Sequence, residues 1–468
     1  MKKKYEVIAE SIQRWIQEQS REQNTGQWMD KGIRLPAVRT LAQQHRCSIS
    51  TVIRAYEWLE ERHLVYAIPQ SGYYAVQNGA DVDDAEWNEP LDFASAAPDP
   101  RVFPYSDFRH CVDQAMEKKQ ADLFLYGTER GLPSLIQLVQ RQFADYQVFA
   151  HTDQFFITSG VQQALAVLAL MPFPNGKQRV LLELPTYHNM PSLLSGLNVP
   201  IAGVKRSLRG LDWDELERQF REGDIKFFYV MPRFHNPLGT SLTTSEKKRL
   251  IRLAVRYDVY VVEDDFLADL EDNSNQDPLF SNDTDGRVIY LKSYSKILFP
   301  GLRIGIAILP QKLTSSFHMY KKMLDIDTSV LSQAALEIYI SSGMFAHHGK
   351  VIRNRYAARM REVHEQLDVY PEFGPFKEAP RTGGEHTVLP LPANIPLKAL
   401  LTRLEQYGVL AGTTERYYPE GMHGDKMLRL NISNVPKQRI AEGMRIIAEQ
   451  ITRLHVVRMR KPTSLEMG

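Results

Sequence analysis

Cysteine is scarce in this chain. Cys47 and Cys111 are its two thiols in 468 residues, which excludes a disulfide scaffold. Cys47 sits in an apolar helical context and reads as a plain buried thiol. Excess charge of either sign is also missing. The 57 Lys and Arg against 56 Asp and Glu leave a formal charge of +1. That argues against a chain that coats nucleic acid along its whole length. It leaves room for one small DNA-reading module, because charge is a local quantity. No apolar run approaches the roughly 18 residues of a membrane span. The start, Met1-Lys2-Lys3-Lys4, is basic, but Glu6, Glu10, Gln13 and Arg14 interrupt at once. No signal peptide is expected, and a cytoplasmic location follows by elimination. No internal repeat or low-complexity tract is visible.

What is present is length, more than one ordinary hydrophobic core accommodates, so two or three domains are expected. Residues 1–78 form the first. Val7, Ile8, Ile12, Trp15 and Ile16 recur at helical spacing. After a break from Gly26 to Gly32, helices are expected over 38–45 and 48–62. Leu64 to Ile68 and Tyr73 to Val76 then flank a turn at Pro69-Gln70-Ser71-Gly72, a hairpin signature. Three helices and a hairpin make the winged helix-turn-helix pattern. Ser48 is a good N-cap for the third helix. Val52, Ala55, Tyr56 and Leu59 share its inward face, so Ser50, Arg54 and Glu57 point outward. Arg54, Ser50 and Thr51 suit contacts in a major groove, Arg34 and Arg39 suit phosphates, and Gln70-Ser71-Gly72 would reach an adjacent groove. The bland alternative is a helical domain that packs on a partner.

Between Asp81 and Asp99 the chain carries seven acidic residues and no Lys or Arg. Residues 79–91 read as an acidic linker, at most about 45 Å long when extended. An ordered acidic loop on the second domain is the alternative. From residue 92 onward, strands alternate with amphipathic helices. Near-continuous apolar strands are expected at Phe155–Ile157, Val180–Leu182, Phe227–Val230, Val259–Val262, Val288–Leu291 and Ile304–Ile308. Such strands imply an α/β domain with a mostly parallel sheet covered on both faces.

The ends of these strands carry chemistry. Ser293-Tyr294-Ser295-Lys296 and Arg303 offer an amine beside hydroxyls and a guanidinium, which suits an aldehyde cofactor bearing a phosphate. Asp264 follows another strand, where α/β sheets place ligands, and suits a pyridinium nitrogen. Asn236 follows a third and suits a phenolate oxygen. Gly160, Val161 and Gln162 open a helix whose free N–H groups suit a phosphate. Tyr187 follows a further strand and suits stacking on a flat ring. Five strand ends that each supply a different part of one site are hard to obtain by chance.

The span from Arg34 to Val76 resembles the GntR family of winged helix-turn-helix regulators, through Leu35-Pro36-Ala37-Val38-Arg39-Thr40-Leu41-Ala42, Ser48-Ile49-Ser50-Thr51-Val52, Ala55-Tyr56, Leu59 and Ser71-Gly72-Tyr73. Ile49 stands where that family commonly has Arg, and His63 near its usual Gly. Residues 91–455 resemble fold-type I aminotransferases of class I and II. This resemblance implies pyridoxal 5'-phosphate as cofactor. It implies Lys296 as the Schiff-base lysine, Asp264 as partner of the ring nitrogen, Asn236 near the ring oxygen and Tyr187 on the ring. Gly160, Val161, Gln162, Ser293, Ser295 and Arg303 would hold the phosphate. Arg429 would take a substrate carboxylate, and Tyr126 would reach the phosphate of the partner subunit. Phe266 replaces a usual Tyr. Glu385 replaces a usual apolar residue and is expected in solvent; lining the pocket, it would favour a ligand with a cationic or amide end.

The two halves together resemble the MocR subfamily. The resemblance implies a large and a small subdomain, the small one over about 345–468. It implies a homodimer whose heads are often exchanged between subunits, a double-stranded DNA operator, and an amino acid, amine or the cofactor itself as the sensed ligand, bound through an aldimine. A working aminotransferase with an incidental or autoregulatory head is the alternative. No metal site is expected.

Overall fold

The computed structural model describes residues 3–22, 33–60, 62, 64–68, 71–75, 90–271, 276–376 and 383–459. The head consists of α1 (Lys4–Glu22), α2 (Val38–Gln44), α3 (Ile49–Glu60) and the antiparallel hairpin β1 (Val65–Ile68) and β2 (Gly72–Ala75). On α3, Val52, Ala55, Tyr56 and Leu59 are buried against Ile8, Ile12 and Leu41. Their i, i+3, i+4, i+7 spacing puts them on one helix face, and that face holds the head together. Truncating Leu59 to alanine there costs about 2–5 kcal/mol. Tyr56 stacks on Tyr73 of the hairpin at 4.0 Å and donates to the Pro36 carbonyl at 2.5 Å. Cys47, expected to be buried, is half-buried, because it lies in the turn before α3; Cys111 is buried.

The body begins earlier than the sequence pattern indicates. Leu91, placed in the linker, is the first residue of β3 (Leu91–Phe93). It is buried and pairs in parallel with β13 (Val409–Thr413). Linker residues 79–89 lie outside the described residues, as do His63 and Gln70. After β3 come α4 (Tyr105–Lys118) and α5 (Pro133–Ala144). The large sheet contains β4 (Phe155–Thr158), β5 (Arg179–Leu184), β6 (Ile201–Ser207), β7 (Gly210–Leu211), β8 (Ile225–Val230), β9 (Tyr260–Asp264), β10 (Val288–Ser293) and β11 (Gly305–Ile308). Their order is β4-β11-β10-β9-β8-β5-β6-β7. The central pairs are parallel, and β11 runs antiparallel to both its neighbours. Alternate residues enter opposite cores. Leu181, Phe228 and Val261 pack on one face, while Leu182, Tyr229 and Val262 pack on the other. Burial of both faces explains why the strands are apolar without alternation.

A second sheet has the order β12-β14-β13-β3, with β12 at His386–Pro390 and β14 at Met427–Asn431. This sheet therefore joins chain near residue 91 to chain from the C-terminal third. The head rests on the body through Tyr66 of β1. Its hydroxyl donates to Asp107 of α4 at 3.1 Å, and its ring stacks on His110 at 5.6 Å. Among the described residues no helix is long and apolar enough to cross a membrane.

Candidate cofactor site and DNA-reading face

A cavity of about 230 Å³ opens at the C-terminal ends of the parallel strands. It is lined by Gly160, Val161, Gln162, Tyr187, Asn236, Asp264, Ser293, Ser295, Lys296 and Arg303. These are ten of the residues the sequence singles out, drawn from five separate strand ends. Phe266 lines the cavity too, with Ala96, Met231 and Pro300. The sequence offered no signal for the last three, which are apolar and far apart in the chain.

Each part has a local cause. Asp264 ends β9 and is buried. Burial pushes its carboxyl up to about 7 against the hydrogen bond from Tyr229, and the charge of Asp265 adds to the rise. Asn236 lies on the loop between β8 and the next helix, after Met231. A buried Arg206–Glu183 ion pair clamps that loop: Glu183 accepts the Met231 N–H at 2.9 Å, and Arg206 donates to the Met231 and Thr240 carbonyls at 3.2 and 3.3 Å. Arg233, on the same loop, pairs with Asp265. Breaking either buried pair would leave an uncompensated charge at a cost of about 3–5 kcal/mol. These clamps make Asn236 a fixed group.

At the other end of the cavity, Gly160 is the N-cap of α6 (Val161–Leu170), with φ +85°. A Cβ there would stand 2.8 Å from an Arg303 nitrogen. Arg303 itself has φ +55° and donates to the Ser159 carbonyl at 3.0 Å. Helix N-terminus, guanidinium and the hydroxyls of Ser293 and Ser295 therefore face one place, an arrangement suited to a phosphate dianion.

Arg429, in the middle of β14, is buried, and its Nε and Nη2 have no hydrogen-bond partner among the described residues. Its guanidinium lies 5.7 Å from the Tyr417 ring. Nearby His188 is held neutral, at about 4, by burial and by the charges of Arg416, Arg429 and Lys296. Arg429 does not line the cavity, but its charge and those of Arg416 and Lys296 make the surroundings of His188 electropositive, which suits a carboxylate. Tyr126 is not brought to this cavity. It is 82% exposed.

Glu385 corrects the reading from sequence. It is 1% exposed rather than solvated, because it immediately precedes β12 and that strand is buried against β14. Its Oε1 accepts from Lys296 Nζ at 2.8 Å. Burial alone would raise its carboxyl, but Lys296 and His386 hold it at about 2. Lys296 also donates to the Ala96 carbonyl.

In the head, Arg39, Ser48, Ser50 and Arg54 are exposed and Thr51 is half-buried. Ser48 Oγ accepts the Thr51 N–H at 3.3 Å, as an N-cap does. Ser48 also bonds the hydroxyls of Ser50 and Thr51, each at 2.8 Å. Arg54 lies over the Tyr5 ring at 4.9 Å. Arg34 donates to the Ser71 carbonyl at 2.7 Å, so one arm of it ties down the wing turn, where Gly72 has φ +116°. Ile49 is half exposed on the same outward face.

Residues 101–447 match the family described as aminotransferase class I and II. The chain is 47% identical over 424 residues to the uncharacterized HTH-type transcriptional regulator YcxD of Bacillus subtilis, covering 90% of this chain and 95% of that protein. It is 28% identical over 375 residues to aromatic-amino-acid aminotransferase 1 of Thermococcus litoralis, covering 78% and 89%. Among solved structures, a kynurenine aminotransferase from Pyrococcus horikoshii in complex with PMP superposes with a TM-score of 0.70 at 28% identity, covering 79% of this chain and 92% of that one.

The residues present fit the family's cofactor, pyridoxal 5'-phosphate. Asp264 Oδ1, Asn236 Oδ1 and Gln162 Oε1 are buried atoms of cavity-lining residues, and none has a hydrogen-bond partner among the described residues. Orphaned buried polar groups are costly, and a polar ligand in the cavity would satisfy them. From these matches, the chain belongs to the class I and II aminotransferase family and, within it, to the MocR type that carries a helix-turn-helix head.

Proposed function

We propose that this protein is a DNA-binding transcriptional regulator whose aminotransferase-like body binds pyridoxal phosphate and senses an amino compound. The observation that carries the reading is the meeting in one cavity of Lys296 and the orphaned Asp264 oxygen, with Arg429 buried on the small sheet and two of its nitrogens without a partner among the described residues, in a chain whose head exposes Arg39, Ser50 and Arg54. Pyridoxal phosphate, when bound, supplies an aldehyde carbon that condenses with amines and a ring that accepts electron density. Lys296 Nζ is the amine that holds it. Asp264 Oδ1 would keep a proton on the ring nitrogen. Gly160, Ser293, Ser295 and Arg303 would anchor the phosphate, and Tyr187 would cover the ring. Arg429 would clamp the carboxylate of an amino-acid ligand.

For regulation, the ligand must bind two arrangements of the molecule with different affinity. Arg429 lies on the small sheet and Lys296 on the large domain, so a ligand that bridges them favours closure. The head would follow through Tyr66 and Asp107. Tyr126, exposed as it is, supports a homodimer in which it reaches the partner's phosphate. If heads are exchanged between protomers, the Tyr66–Asp107 contact is the one they trade. On the operator, Arg34, Arg39 and Arg54 would meet phosphate or base edges together with Ser48, Ser50, Thr51, Gln70, Ser71 and Gly72. Ile49 suits a thymine methyl group.

The second reading is a working aminotransferase, favoured by the completeness of the same site. One experiment separates them. The visible spectrum of the holo-protein is recorded before and after each common L-amino acid, with keto acid and operator affinity measured in parallel. A stable band shift with altered operator affinity and no keto acid supports the sensor. Turnover with unchanged operator affinity supports the enzyme. A Lys296→Ala protein that responds normally to its ligand would overturn the sensing mechanism.

A further inference from the structure

Glu385 has a task that the cofactor site does not explain. Its Oε1 lies 2.8 Å from Lys296 Nζ, its Oε2 accepts from Ser433 Oγ at 3.3 Å, and His386 Nδ1 stands 3.8 Å from Oε1. On its other side, Lys296 Nζ donates to the Ala96 carbonyl. The lysine nitrogen is gripped by two acceptors, one of them a buried anion. With the Glu385 carboxylate it makes an ion pair at 2.8 Å.

Two reactions ask different things of that nitrogen. In amine exchange, a ligand ammonium arrives at the carbon that Lys296 holds. A C=N bond forms to the ligand nitrogen, the C=N bond to Nζ breaks, and the protons that the ligand nitrogen gives up pass to Nζ. Nothing is oxidised or reduced, and lysine ends as an ammonium. Transamination needs a further step, in which the released Nζ, now neutral, takes the proton from the ligand's α-carbon. A neutral Nζ would remove the nearest counter-charge of the buried Glu385 carboxylate and leave only His386 and the field of Arg429 to balance it, which is unfavourable.

We propose that Glu385 is a positioning residue that holds the released Lys296 as an ammonium, so that the site exchanges and retains an amine instead of transaminating it. This rests on the reading of the body as an amine sensor. It also has a consequence that needs no ligand. Lys296 must be neutral to attack the cofactor's aldehyde, so Glu385 slows cofactor loading.

The test compares wild type with E385Q and E385M, which both remove the charge, and with E385D, which keeps it. In the first arm, cofactor-free protein is mixed with pyridoxal phosphate near neutral pH, and the rise of visible absorbance is timed. In the second, each common L-amino acid is added to the loaded proteins, and the absorbance band and keto acid are followed. The neutral variants are expected to load about tenfold faster or more, the change that loss of one close counter-charge produces. They should also pass to the pyridoxamine spectrum with stoichiometric keto acid. E385D should behave as wild type in both arms. Equal or slower loading in both neutral variants overturns the proposal. So does faster loading with no keto acid from any amino acid that shifts the band. If no amino acid alters the wild-type spectrum, the sensing reading falls, and the loading arm alone still decides the role of Glu385.

Discussion

Tyr229 and Asp264 divide one carboxylate between them: the tyrosine hydroxyl donates to Oδ2 at 2.6 Å, and Oδ1 is left buried with no hydrogen-bond partner among the described residues. The free oxygen belongs to a residue lining the cavity. Without a cationic ligand, ionising this group is unfavourable. Its value in the fold is about 7, against a usual 3.8.

The sign of the pH effect follows. A carboxyl raised on folding contributes stability that is full below its unfolded value and lost as pH rises through its folded value. Cofactor-free wild type should therefore lose stability between about pH 4 and 7 relative to Asp264→Asn, by on the order of 4 kcal/mol at the upper end. Denaturant unfolding across that range checks this. Identical pH profiles for the two proteins would show that Asp264 ionises freely. With pyridoxal phosphate bound, the order should reverse, because the ring nitrogen then partners the charge.

Gly160→Ala should fold and lose cofactor. The new Cβ meets Arg303 at 2.8 Å, and φ +85° adds strain of about 1 kcal/mol for a residue with a side chain. Arg303 must turn away from the phosphate position. Spectrophotometric titration should show pyridoxal phosphate bound about tenfold more weakly or worse. Unchanged affinity would mean that the phosphate lies elsewhere.

Arg429→Leu should discriminate among ligands by their carboxylates. Removing a buried charged partner costs about 2–5 kcal/mol of binding. Amino acids should therefore bind at least about 30-fold more weakly, while simple amines without a carboxylate keep their affinity. Equal losses for both classes would count against a carboxylate clamp and point to collapse of the site.

Arg39→Ala should weaken operator binding evenly across sequences and reduce the slope of log affinity against log salt by about 1, as a lost phosphate contact does. A change confined to one base position, with the salt slope intact, would move Arg39 to base readout.

Much of the site was legible because each residue lies next to a recognisable strand end. A strand of uniform apolar character announces itself, and the residue after it projects where a parallel sheet exposes its C-terminal edge. Lys296, Asp264, Asn236 and Gly160 were read this way. Helix α3 was read from the spacing of Val52, Ala55, Tyr56 and Leu59, which is a local property of the chain. Tyr229 was not found as a site residue, because it reads as one more apolar position inside β8. Ala96 has no marker in the sequence, and Glu385, singled out there, reads as solvated because nothing local shows the partner that buries it. Leu91 was assigned to the linker because the acidic run beside it carries the stronger signal.

Local pattern alone determined the order of elements, the head and body, and the class of cofactor that the strand ends suit. Those features depend on spacings of a few residues along one chain. Tertiary structure decided what depends on partners far apart in sequence: that β3 joins the sheet of β12 to β14, that Tyr229 occupies one oxygen of Asp264, and that Glu385 is buried on Lys296 instead of solvated. The charge of a carboxylate in sequence is the same wherever it lies. Only packing fixes whether water or an ammonium at 2.8 Å balances it.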